Sequence, residues 1–475
     1  MRVLIVGLIV LLTALPLTAA ERPNIVVIFI DDMGWGDLSC FGNTEVKTEN
    51  LDRLAAEGIR FEQFYVNSPI CSPSRTAIST GQYPQRWRIN SYLDNRRVNN
   101  RRGVAQWLDP QAPMLARSLH AAGYATGHFG KWHMGGQRDV GEAPLINQYG
   151  FDASLTNFEG LGDRVLPLLD AFDGTPPRKH ALGSDSLGRG QITWETRSEV
   201  TAAFVSGALE FVKEAEAAGK PFYVNLWPDD VHSPFFPPKD RRGDGSPRAL
   251  YLGVLQTMDE QIAPLLDYIR ASDKLKNNTL VLACSDNGPE KGAGSAGPFR
   301  GFKAMLYEGG VRSPLIAWGP GLVAADKAGT VNAQSVFAAI DLVPSLLSIA
   351  GVKPPEIVEY DGVAMPDVLL GRSTASRERP LFFRRPPDRD AIFGEASLPD
   401  LAVREGNWKL LCEYDGSLPQ LYDLEADRSE TANLAAEHPE IVERLTAAVL
   451  AWHQSLPPDK GATYEPEPRK PAGRK

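Results

Sequence analysis

Chemically reactive side chains occur where several predicted β-strands of this chain end. Five segments that are distant in sequence share this position: Asp31-Asp32, Cys71, Lys131 with His133, His232, and Asp286-Asn287-Gly288. Taken singly, each has an ordinary structural explanation, because adjacent aspartates often cap helices and Asn-Gly is a strong turn dipeptide. In open α/β sheets, however, ligands bind beyond the carboxyl ends of the strands. The shared placement therefore predicts one polar site at one edge of a sheet.

The strands that would position these residues are apolar runs rich in β-branched side chains. They are Asn24 to Ile30, a shorter run near Phe61 to Val66, Tyr124 to Phe129, Phe222 to Trp227, and Thr279 to Ala283. Helical patterns alternate with them, at Ala112 to Ala122, Val200 to Ala217, and Tyr251 to Ala271. This alternation predicts an α/β fold with a large, mostly parallel sheet between layers of helices.

A change of composition indicates a second, smaller domain. Pro354-Pro355 and residues 371–380 read as a boundary, so we expect the main domain over residues 21–370 and a C-terminal subdomain over residues 371–456. Leu381 to Tyr414 predicts short strands, and Pro439 to Ser455 predicts an amphipathic helix. The tail, residues 457–475, is rich in proline and charge and is predicted to be disordered.

The N-terminus has the pattern of an export signal over residues 1–20. Arg2 precedes a nearly all-apolar run, Val3 to Leu15, and Thr18-Ala19-Ala20 supplies small residues for cleavage. The run is short for a membrane span, although an uncleaved anchor is the alternative. We therefore expect a soluble mature protein in the periplasm or outside the cell.

Charge and cysteine content exclude other classes. The formal net charge of -9 argues against nucleic acid as a partner, because phosphate binding needs a broad basic surface. The 4 cysteines are too few for a disulfide framework. Cys284 lies in an apolar run and is expected to be a small buried residue.

The most specific pattern is the segment Cys71 to Gly81, CSPSRTAISTG. Its Cys-x-Pro-x-Arg core and trailing Thr-Gly resemble the signature of the type I sulfatases of the alkaline phosphatase superfamily. Ile78 stands where that family more often has leucine. Other segments resemble arylsulfatases and N-acetylgalactosamine-6-sulfatases, in the same order, from about Glu21 to His453. They are Pro23-Asn24 with Asp31-Asp32, residues 34–37, residues 130–133, residues 228–234, Asp286-Asn287-Gly288, residues 301–312, residues 421–424 and Asn433-Leu434.

The resemblance implies that Cys71 is oxidised to formylglycine by a dedicated maturation enzyme. Pro73 suits the first turn of a helix, which places residue 71 at a helix N-terminus that favours negative charge. A hydrated aldehyde has two hydroxyls, one to attack sulfur and one whose deprotonation expels the bound sulfate. The alternative is a plain cysteine nucleophile with a lowered pKa.

Hard oxygen ligands predict a cation beside residue 71. The predicted ligands are Asp31, Asp32, Asp286, Asn287 and an oxygen of the residue 71 hydrate. Carboxylate-rich sites of this kind suit Ca²⁺, with Mg²⁺ as the alternative, and no Cys/His spacing indicates zinc. With Arg75, Lys131 and Lys303 included, the pocket carries a net positive charge that would attract a sulfate monoanion.

The resemblance also implies roles for the remaining residues. Arg75 would support the hydrate and the ligand carboxylates, and His133 would be the base for the second hydroxyl. Lys131 and Lys303 would bind sulfate oxygens. His232 would protonate or position the leaving oxygen with Lys303, unless it is an ordinary loop histidine.

The predicted function is hydrolysis of sulfate monoesters. The fold that the resemblance implies is an alkaline phosphatase-like α/β/α sandwich with a small antiparallel sheet in the C-terminal subdomain. Sulfated glycans are the expected substrates, with aryl sulfates as surrogates. The alternatives are a phosphodiesterase or phosphonate hydrolase, and a carbohydrate-binding protein with a dead site, although no expected ligand or nucleophile is missing.

An arginine-rich segment follows the predicted nucleophile helix. It contains six arginines, at positions 86, 88, 96, 97, 101 and 102, against one acid, Asp94, with Trp87 and Tyr92 interleaved. One interpretation is a solvated loop whose arginines pair with acidic residues. The other is that part of the loop reaches the pocket rim and binds further anionic groups of a glycan.

Overall fold

The computed structural model describes residues 22–157, 161–388 and 398–457. The predicted export signal over residues 1–20 lies outside these ranges, as does nearly all of the predicted disordered tail. Within the described ranges no helix is both long and apolar enough to cross a membrane.

The central strand, β1, confirms the sequence prediction. It spans Asn24–Ile30, and all of its residues are buried. Ile25, Val27 and Phe29 pack into the core on one face of the sheet. Val26, Ile28 and Ile30 pack into the core on the other face. A strand covered on both faces needs an apolar side chain at every position, which explains the uninterrupted apolar run.

The main sheet of the described chain has 12 strands and is mostly parallel. In chain order its strands are β1, β2 (Ile59–Tyr65), β3 (Ala125–Lys131), β4 (Ala153–Asn157), β5 (Arg164–Leu169), β6 (Arg178–Lys179), β7 (Ile192–Thr196), β8 (Phe222–Trp227), β9 (Thr279–Ser285), β10 (Arg312–Trp318), β11 (Thr330–Asn332) and β12 (Phe337–Ala338). The spatial order is β11-β2-β10-β9-β1-β8-β3-β4-β5-β6, with β12 paired to β2 and β7 to β5. Strand β10 is antiparallel to both β2 and β9. Strands β8 and β9 flank β1 in parallel, so these three strands end at the same edge.

Helices cover both faces of this sheet. Their bounds are α1 Glu49–Glu57, α2 Cys71–Thr80, α3 Arg96–Arg102, α4 Leu115–Ala121, α5 Val200–Ala217, α6 Pro247–Ala271, α7 Asp273–Asn277, α8 Glu308–Val311, α9 Ala339–Ile349 and α10 Pro366–Leu369. Residues of α2, α4 and α9 belong to one core layer. Residues of α1, α5 and α6 belong to the other. The α/β/α sandwich predicted from the sequence is confirmed.

The predicted strand and helix ends differ from the observed ones by a few residues. Helix α6 begins at Pro247 rather than Tyr251, because Ser246 caps it by accepting a hydrogen bond from the Ala249 amide at 3.3 Å. Helix α4 begins at Leu115 rather than Ala112, because Pro113 disfavours helical backbone at Ala112, the residue before it. Strand β3 includes Lys131, so this lysine ends the strand instead of following it.

The C-terminal part forms the predicted short antiparallel sheet. It contains β13 (Leu381–Arg384), β14 (Leu401–Glu405), β15 (Trp408–Cys412) and β16 (Gln420–Asp423), joined in that order. Helix α11 (Pro439–Ser455) follows and buries Leu445, Val449 and Trp452, at the spacing of one helix face. The positions of the domain boundaries stay predictions.

A buried charge cluster joins the two parts of the chain. Lys409 of β15 is fully buried, and its Nζ atom lies 2.9 Å from a carboxylate oxygen of Glu308 and 2.8 Å from one of Glu430. Glu308 also accepts a hydrogen bond from the Tyr65 hydroxyl at 2.6 Å. Burial raises the pKa of Glu430 to about 7 despite the lysine. The cluster therefore ties the C-terminal sheet to the short helix α8, close in sequence to Lys303.

Candidate active site

Cys71 is the first residue of helix α2, as the motif predicts. Ile70 precedes the helix in extended conformation, and only 2% of the Cys71 surface is exposed. Pro73 occupies the first turn, where its missing N–H costs nothing. Gly81 ends the helix in the left-handed conformation, with φ 69°. The unpaired amides of a helix N-terminus therefore surround position 71 and favour negative charge there.

The carboxylates that follow β1 and β9 meet at the predicted edge. Asp31, Asp32 and Asp286 are fully buried. The backbone N–H of Asp32 donates to Oδ1 of Asp286 at 3.0 Å, and Nδ2 of Asn287 donates to Oδ1 of Asp32 at 2.7 Å. Asp32 has a φ of 56°, a conformation that costs free energy in a residue with a side chain. The parallel pairing of the two strands thus brings together groups about 250 positions apart.

Arg75 lies beneath these carboxylates. Its Nη2 atom lies 2.9 Å from Oδ1 of Asp31 and 2.8 Å from Oδ2 of Asp286. Its guanidinium also packs over the rings of Phe29 and Trp227, at 5.7 and 5.2 Å from their centroids. Because Arg75 is one helical turn after Cys71, both side chains lie on the same face of α2. Arg75 therefore links the nucleophile helix to the carboxylates of β1 and β9.

Two lysines complete the charged site. The Nζ atom of Lys131 lies 2.6 Å from Oδ2 of Asp31, and that of Lys303 lies 2.5 Å from Oδ2 of Asp32. The loop that carries Lys303 is attached to the nucleophile segment, because the amide of Ala304 donates to the Pro69 carbonyl at 2.8 Å. Strand β3 and the loop after Asp286 therefore deliver one cation each to the carboxylate pair.

The two predicted histidines contact different parts of the site. His232 has its Nε2 atom 3.6 Å from Oδ2 of Asp32, and its Nδ1 atom is 2.7 Å from the Ser233 carbonyl. His133, with a φ of 52°, has its Nε2 atom 3.1 Å from the Leu93 carbonyl. The Leu93 amide in turn donates to the Ser72 hydroxyl at 2.9 Å. His133 is thus connected to the nucleophile helix through Leu93.

Burial and charge set the protonation of these groups. Burial alone would raise the pKa of Asp31, but Lys131 and Arg75 hold it well below its ordinary value. Burial and the neighbouring charge of Asp31 raise the pKa of Asp286. Burial, together with Lys303 and Lys131, lowers the pKa of His232 to about 3.

Neighbouring charges also set the pKa values of the two lysines. Burial disfavours the charged form of Lys131, but Asp31 and a charge on Cys71 outweigh this and raise its pKa. For Lys303, burial is outweighed by Asp32, Glu290 and again Cys71, so its pKa is also raised. Both ammonium groups are therefore close enough to position 71 to stabilise an anion there.

The residues present fit a hard divalent cation. Asp31, Asp32 and His232 each offer a ligand atom within 4.8 Å of the others. The Oδ1 atom of Asn287 is buried and accepts no hydrogen bond from any described residue. A cation beside it would satisfy this oxygen. It would also offset the negative charge of Asp31, which adds to burial in raising the pKa of Asp286. Oxygen ligands of this type suit Ca²⁺ or Mg²⁺.

Sequence reasoning missed Glu290. Its Oε1 atom accepts a hydrogen bond from the Ser233 hydroxyl at 2.8 Å and lies 3.4 Å from Nζ of Lys303. Its side chain is 23% exposed, so it lies at the rim rather than in the interior. The one available signal was its place directly after Asp286-Asn287-Gly288-Pro289. Nothing in a single sequence shows that its carboxylate faces Ser233 and Lys303, which come from other segments.

A buried ion pair beneath the His232 loop was also missed. The Nη1 atom of Arg197 lies 3.0 Å from Oδ1 of Asp229, and that oxygen also accepts a hydrogen bond from Nδ2 of Asn157 at 3.0 Å. These contacts anchor the segment between β8 and His232 to the end of β4. They therefore restrain the loop from which His232 reaches the site.

The arginine-rich segment is largely neutralised by acids. Arg86 lies 2.6 Å from Asp361, Arg102 lies 2.8 Å from the buried Asp388, and Arg96 pairs with Glu142. These pairs support the interpretation that the arginines pair with acidic residues. The predicted solvated loop is only partly correct, because Arg96 and Arg102 lie in helix α3 and Arg102 is buried. The segment nevertheless reaches the site, because the ring of Tyr92 packs edge-on against His133, at 6.3 Å between centroids.

Comparisons with known proteins agree with this geometry. Residues 23–352 match the family model described as Sulfatase. Residues 297–454 match the model described as N-sulphoglucosamine sulphohydrolase, C-terminal.

Similar proteins cover most of the chain. N-acetylgalactosamine-6-sulfatase of Sus scrofa is 34% identical over 383 residues, which is 77% of this chain and 69% of the relative. Arylsulfatase A of Homo sapiens is 30% identical over 502 residues, covering 96% of this chain and 92% of the relative. Among solved structures, Ps i-CgsB in complex with k-i-k-neocarrahexaose superposes with a TM-score of 0.74 at 25% identity, covering 91% of this chain and 93% of that chain.

Proposed function

This chain belongs to the sulfatase family and hydrolyses sulfate esters, and we propose that it does so on sulfated glycans through a formylglycine made from Cys71. The observation that carries the proposal is the position of Cys71 over Arg75, which bridges Asp31 and Asp286. A nucleophile at a helix N-terminus, above carboxylates that fit a cation, can bind and attack an anionic ester.

Each group supplies a distinct part of the chemistry. Formylglycine, as its hydrate, would provide a hydroxyl that attacks sulfur and displaces the alcohol, and a second hydroxyl whose deprotonation expels sulfate and restores the aldehyde. A Ca²⁺ ion held by Asp31, Asp32, Asp286 and Asn287 would neutralise charge that develops on oxygen, with Mg²⁺ as the alternative. Arg75 holds two of these carboxylates in place. Lys131 and Lys303 bind sulfate oxygens and stabilise the more charged transition state.

The histidines would take part in two different proton transfers. His133 is connected to the nucleophile helix through Leu93 and would take the proton of the second hydroxyl. His232 and Lys303 both contact Asp32. Because the lowered pKa of His232 leaves it neutral, His232 would position the leaving oxygen, and Lys303, which keeps its proton, would protonate it. We expect loss of His133, His232 or Lys303 to lower kcat more than it raises KM, because all three act on the transition state.

Support for a glycan substrate comes from the relatives. One is named for the 6-sulfate of N-acetylgalactosamine, and one solved relative holds a neocarrahexaose. The phosphodiesterase or phosphonate hydrolase alternative finds no support among the relatives described above. We further propose that the protein is exported to the periplasm or the cell exterior, where the export-signal pattern directs it.

The decisive experiment combines mass spectrometry with activity assays on the same preparation. Trypsin should release residues 61–75, and in active enzyme this peptide should be about 18 Da lighter than the cysteine form, as oxidation of the thiol to an aldehyde requires. The same preparation is assayed on 4-nitrophenyl sulfate, on sulfated monosaccharides including N-acetylgalactosamine 6-sulfate, and on bis(4-nitrophenyl) phosphate. Full activity with only unmodified Cys71, or faster turnover of the phosphate diester than of any sulfate ester, would overturn the proposal.

A further inference from the structure

One arginine of the arginine-rich segment differs from its paired neighbours. Arg88 is exposed and forms no ion pair with any residue in the described ranges. Its backbone is nevertheless held: its amide donates to the Gln85 carbonyl at 3.0 Å, and its carbonyl accepts from the Ala105 amide at 2.9 Å. The result is a left-handed residue, with φ 56°, whose charge faces solvent.

Arg88 lines a groove between two tryptophans. This tryptophan groove has a volume of about 520 Å³, and its walls are formed by Arg86, Trp87, Arg88, Gln106, Trp107 and Asp109. Volumes of about 300–1,000 Å³ are usual for small-ligand sites. Both tryptophans are half-buried, and Nε1 of Trp87 donates to Gln82 at 3.1 Å. The groove therefore offers held aromatic side chains beside a cation.

The other charged side chains of the groove have contacts of their own. Arg86 pairs with Asp361 at 2.6 Å. The carboxylate of Asp109 accepts the Gln111 amide at 2.8 Å, within its own turn. Of the two arginines that line the groove, Arg88 is therefore the one without an acidic partner among the described residues.

Both walls of the groove lead to the active site. Five positions after Arg88 comes Leu93, whose carbonyl lies 3.1 Å from His133. Five residues of chain span at most about 18 Å. On the other wall, Trp107 pairs with Gly135, two positions after His133, and so closely that a side chain at Gly135 would clash with it. The groove and the site are therefore separated by a distance that a short oligosaccharide can cover.

We propose that the tryptophan groove is a subsite for a further anionic sugar of the same glycan whose ester is cleaved in the active site. This rests on the proposed function. Flat indole faces pack on the apolar faces of sugar rings, and the planar fork of Arg88 matches a sulfate or carboxylate group. Such a subsite would favour chains of several sugars over single sulfated sugars.

The test compares Arg88→Asn with a matched control. Asparagine tolerates the left-handed backbone that position 88 requires, so the turn is kept and the charge is lost. Arg428→Asn removes another exposed arginine, from the C-terminal part of the chain. The substrates are 4-nitrophenyl sulfate and size-defined oligosaccharides, from two to eight sugars, of chondroitin 6-sulfate and of carrageenan.

We expect Arg88→Asn to raise KM about tenfold for the longer oligosaccharides, as the loss of one charge-assisted contact implies. KM for the shortest oligosaccharide and for the aryl sulfate should not change. Trp107→Leu should show the same dependence on chain length, and Arg428→Asn should show none. Rising salt should reduce the difference between wild type and Arg88→Asn, because exposed charges are screened.

Direct binding removes any dependence on turnover. Calorimetry of the longest oligosaccharides with Cys71→Ala protein should show weaker binding when Arg88→Asn is added. The subsite proposal would be overturned by equal binding with and without Arg88 or by no binding of either glycan. An equal change in KM for all chain lengths would also overturn it. Hydrolysis of 4-nitrophenyl sulfate by wild type separates the two proposals, because its loss would contradict the proposed function, whereas its persistence would leave that function standing.

Discussion

The Oε1 atom of Glu290 lies 3.4 Å from the ammonium of Lys303. The same oxygen accepts a hydrogen bond from the Ser233 hydroxyl at 2.8 Å, so one carboxylate connects the loop of Lys303 to the loop of His232. A group that orients catalytic side chains in this way should influence the rate without touching the reacting atoms.

Glu290→Gln should therefore lower kcat while leaving KM nearly unchanged. Glutamine keeps an acceptor for Ser233 but removes the charge that holds Lys303, and we expect a loss of about tenfold or more. The loss should be larger for a sugar sulfate than for 4-nitrophenyl sulfate, since a poor leaving group depends more on protonation. The exposed Glu356→Gln is the control. A uniform rise in KM would contradict a positioning role.

Replacement of Cys71 separates the two hydroxyls of the proposed mechanism. Cys71→Ala should abolish turnover, and Cys71→Ser should permit at most one sulfate transfer per protein molecule. Serine has one hydroxyl, so its sulfate ester cannot be released by the second. Mass spectrometry of Cys71→Ser after incubation with 4-nitrophenyl sulfate would detect the added sulfate. Repeated turnover by the serine variant would refute the two-hydroxyl mechanism.

Removal of the metal should inactivate the enzyme, and Ca²⁺ should restore it. A bound ion also stabilises the folded state, so Ca²⁺ should raise the thermal unfolding midpoint of the chelated wild type. Asp286→Ala should lose both responses, because it removes a predicted ligand. Recovery with Mg²⁺ alone would assign Mg²⁺ rather than Ca²⁺ to the same site. Full activity after exhaustive chelation would exclude a metal requirement.

Lys409→Met should destabilise the fold strongly. Lys409 is fully buried against Glu308 and Glu430, and removal of one partner from such a cluster costs about 3–5 kcal/mol. The surface pair of Arg444 with Glu405 provides the comparison, since Arg444→Ala should cost less than about 1 kcal/mol. Urea denaturation measures both free energies of unfolding. Similar values for the two variants would show that the buried cluster contributes no more than a surface pair.

His128 should make stability depend on pH. Burial, together with Arg75, lowers its pKa from 6.5 to about 3 in the folded protein, so below pH 6.5 only the unfolded chain binds this proton. Stability is therefore lost as the pH falls from 6.5 towards 3, at about 1.4 kcal/mol per pH unit from this group. Asp230, whose pKa is raised by burial to about 6, acts in the opposite direction in every variant.

His128→Phe should remove this contribution, so its free energy of unfolding should fall less steeply between pH 6 and pH 4 than that of wild type. Phenylalanine can pack among Trp132, Phe151 and Trp227, the rings that surround His128. Replacement of the exposed His120 by phenylalanine is the control and should leave the slope nearly unchanged. An unchanged slope in His128→Phe would refute the assignment.

Local sequence determined the main elements of this fold. The bounds of β1, β8, α5 and α11 agree with those predicted from apolar patterns, because each pattern reflects burial of one face or both faces of a single segment. The residue types at the strand ends also indicated the site, since parallel strands that share a sheet present their carboxyl ends at one edge.

Contacts between distant segments were decided by the tertiary structure alone. The bridge from Arg75 to Asp31 and Asp286, the place of Glu290 beside Lys303, and the exposure of Arg88 among paired arginines all depend on which strands and loops become neighbours. A periodic pattern records how each segment meets solvent and core, but not which side chain of another segment it faces. The attraction between two charged groups depends on their separation in space and not on their separation in sequence. Their partners are therefore known only once the sheet has brought the segments together.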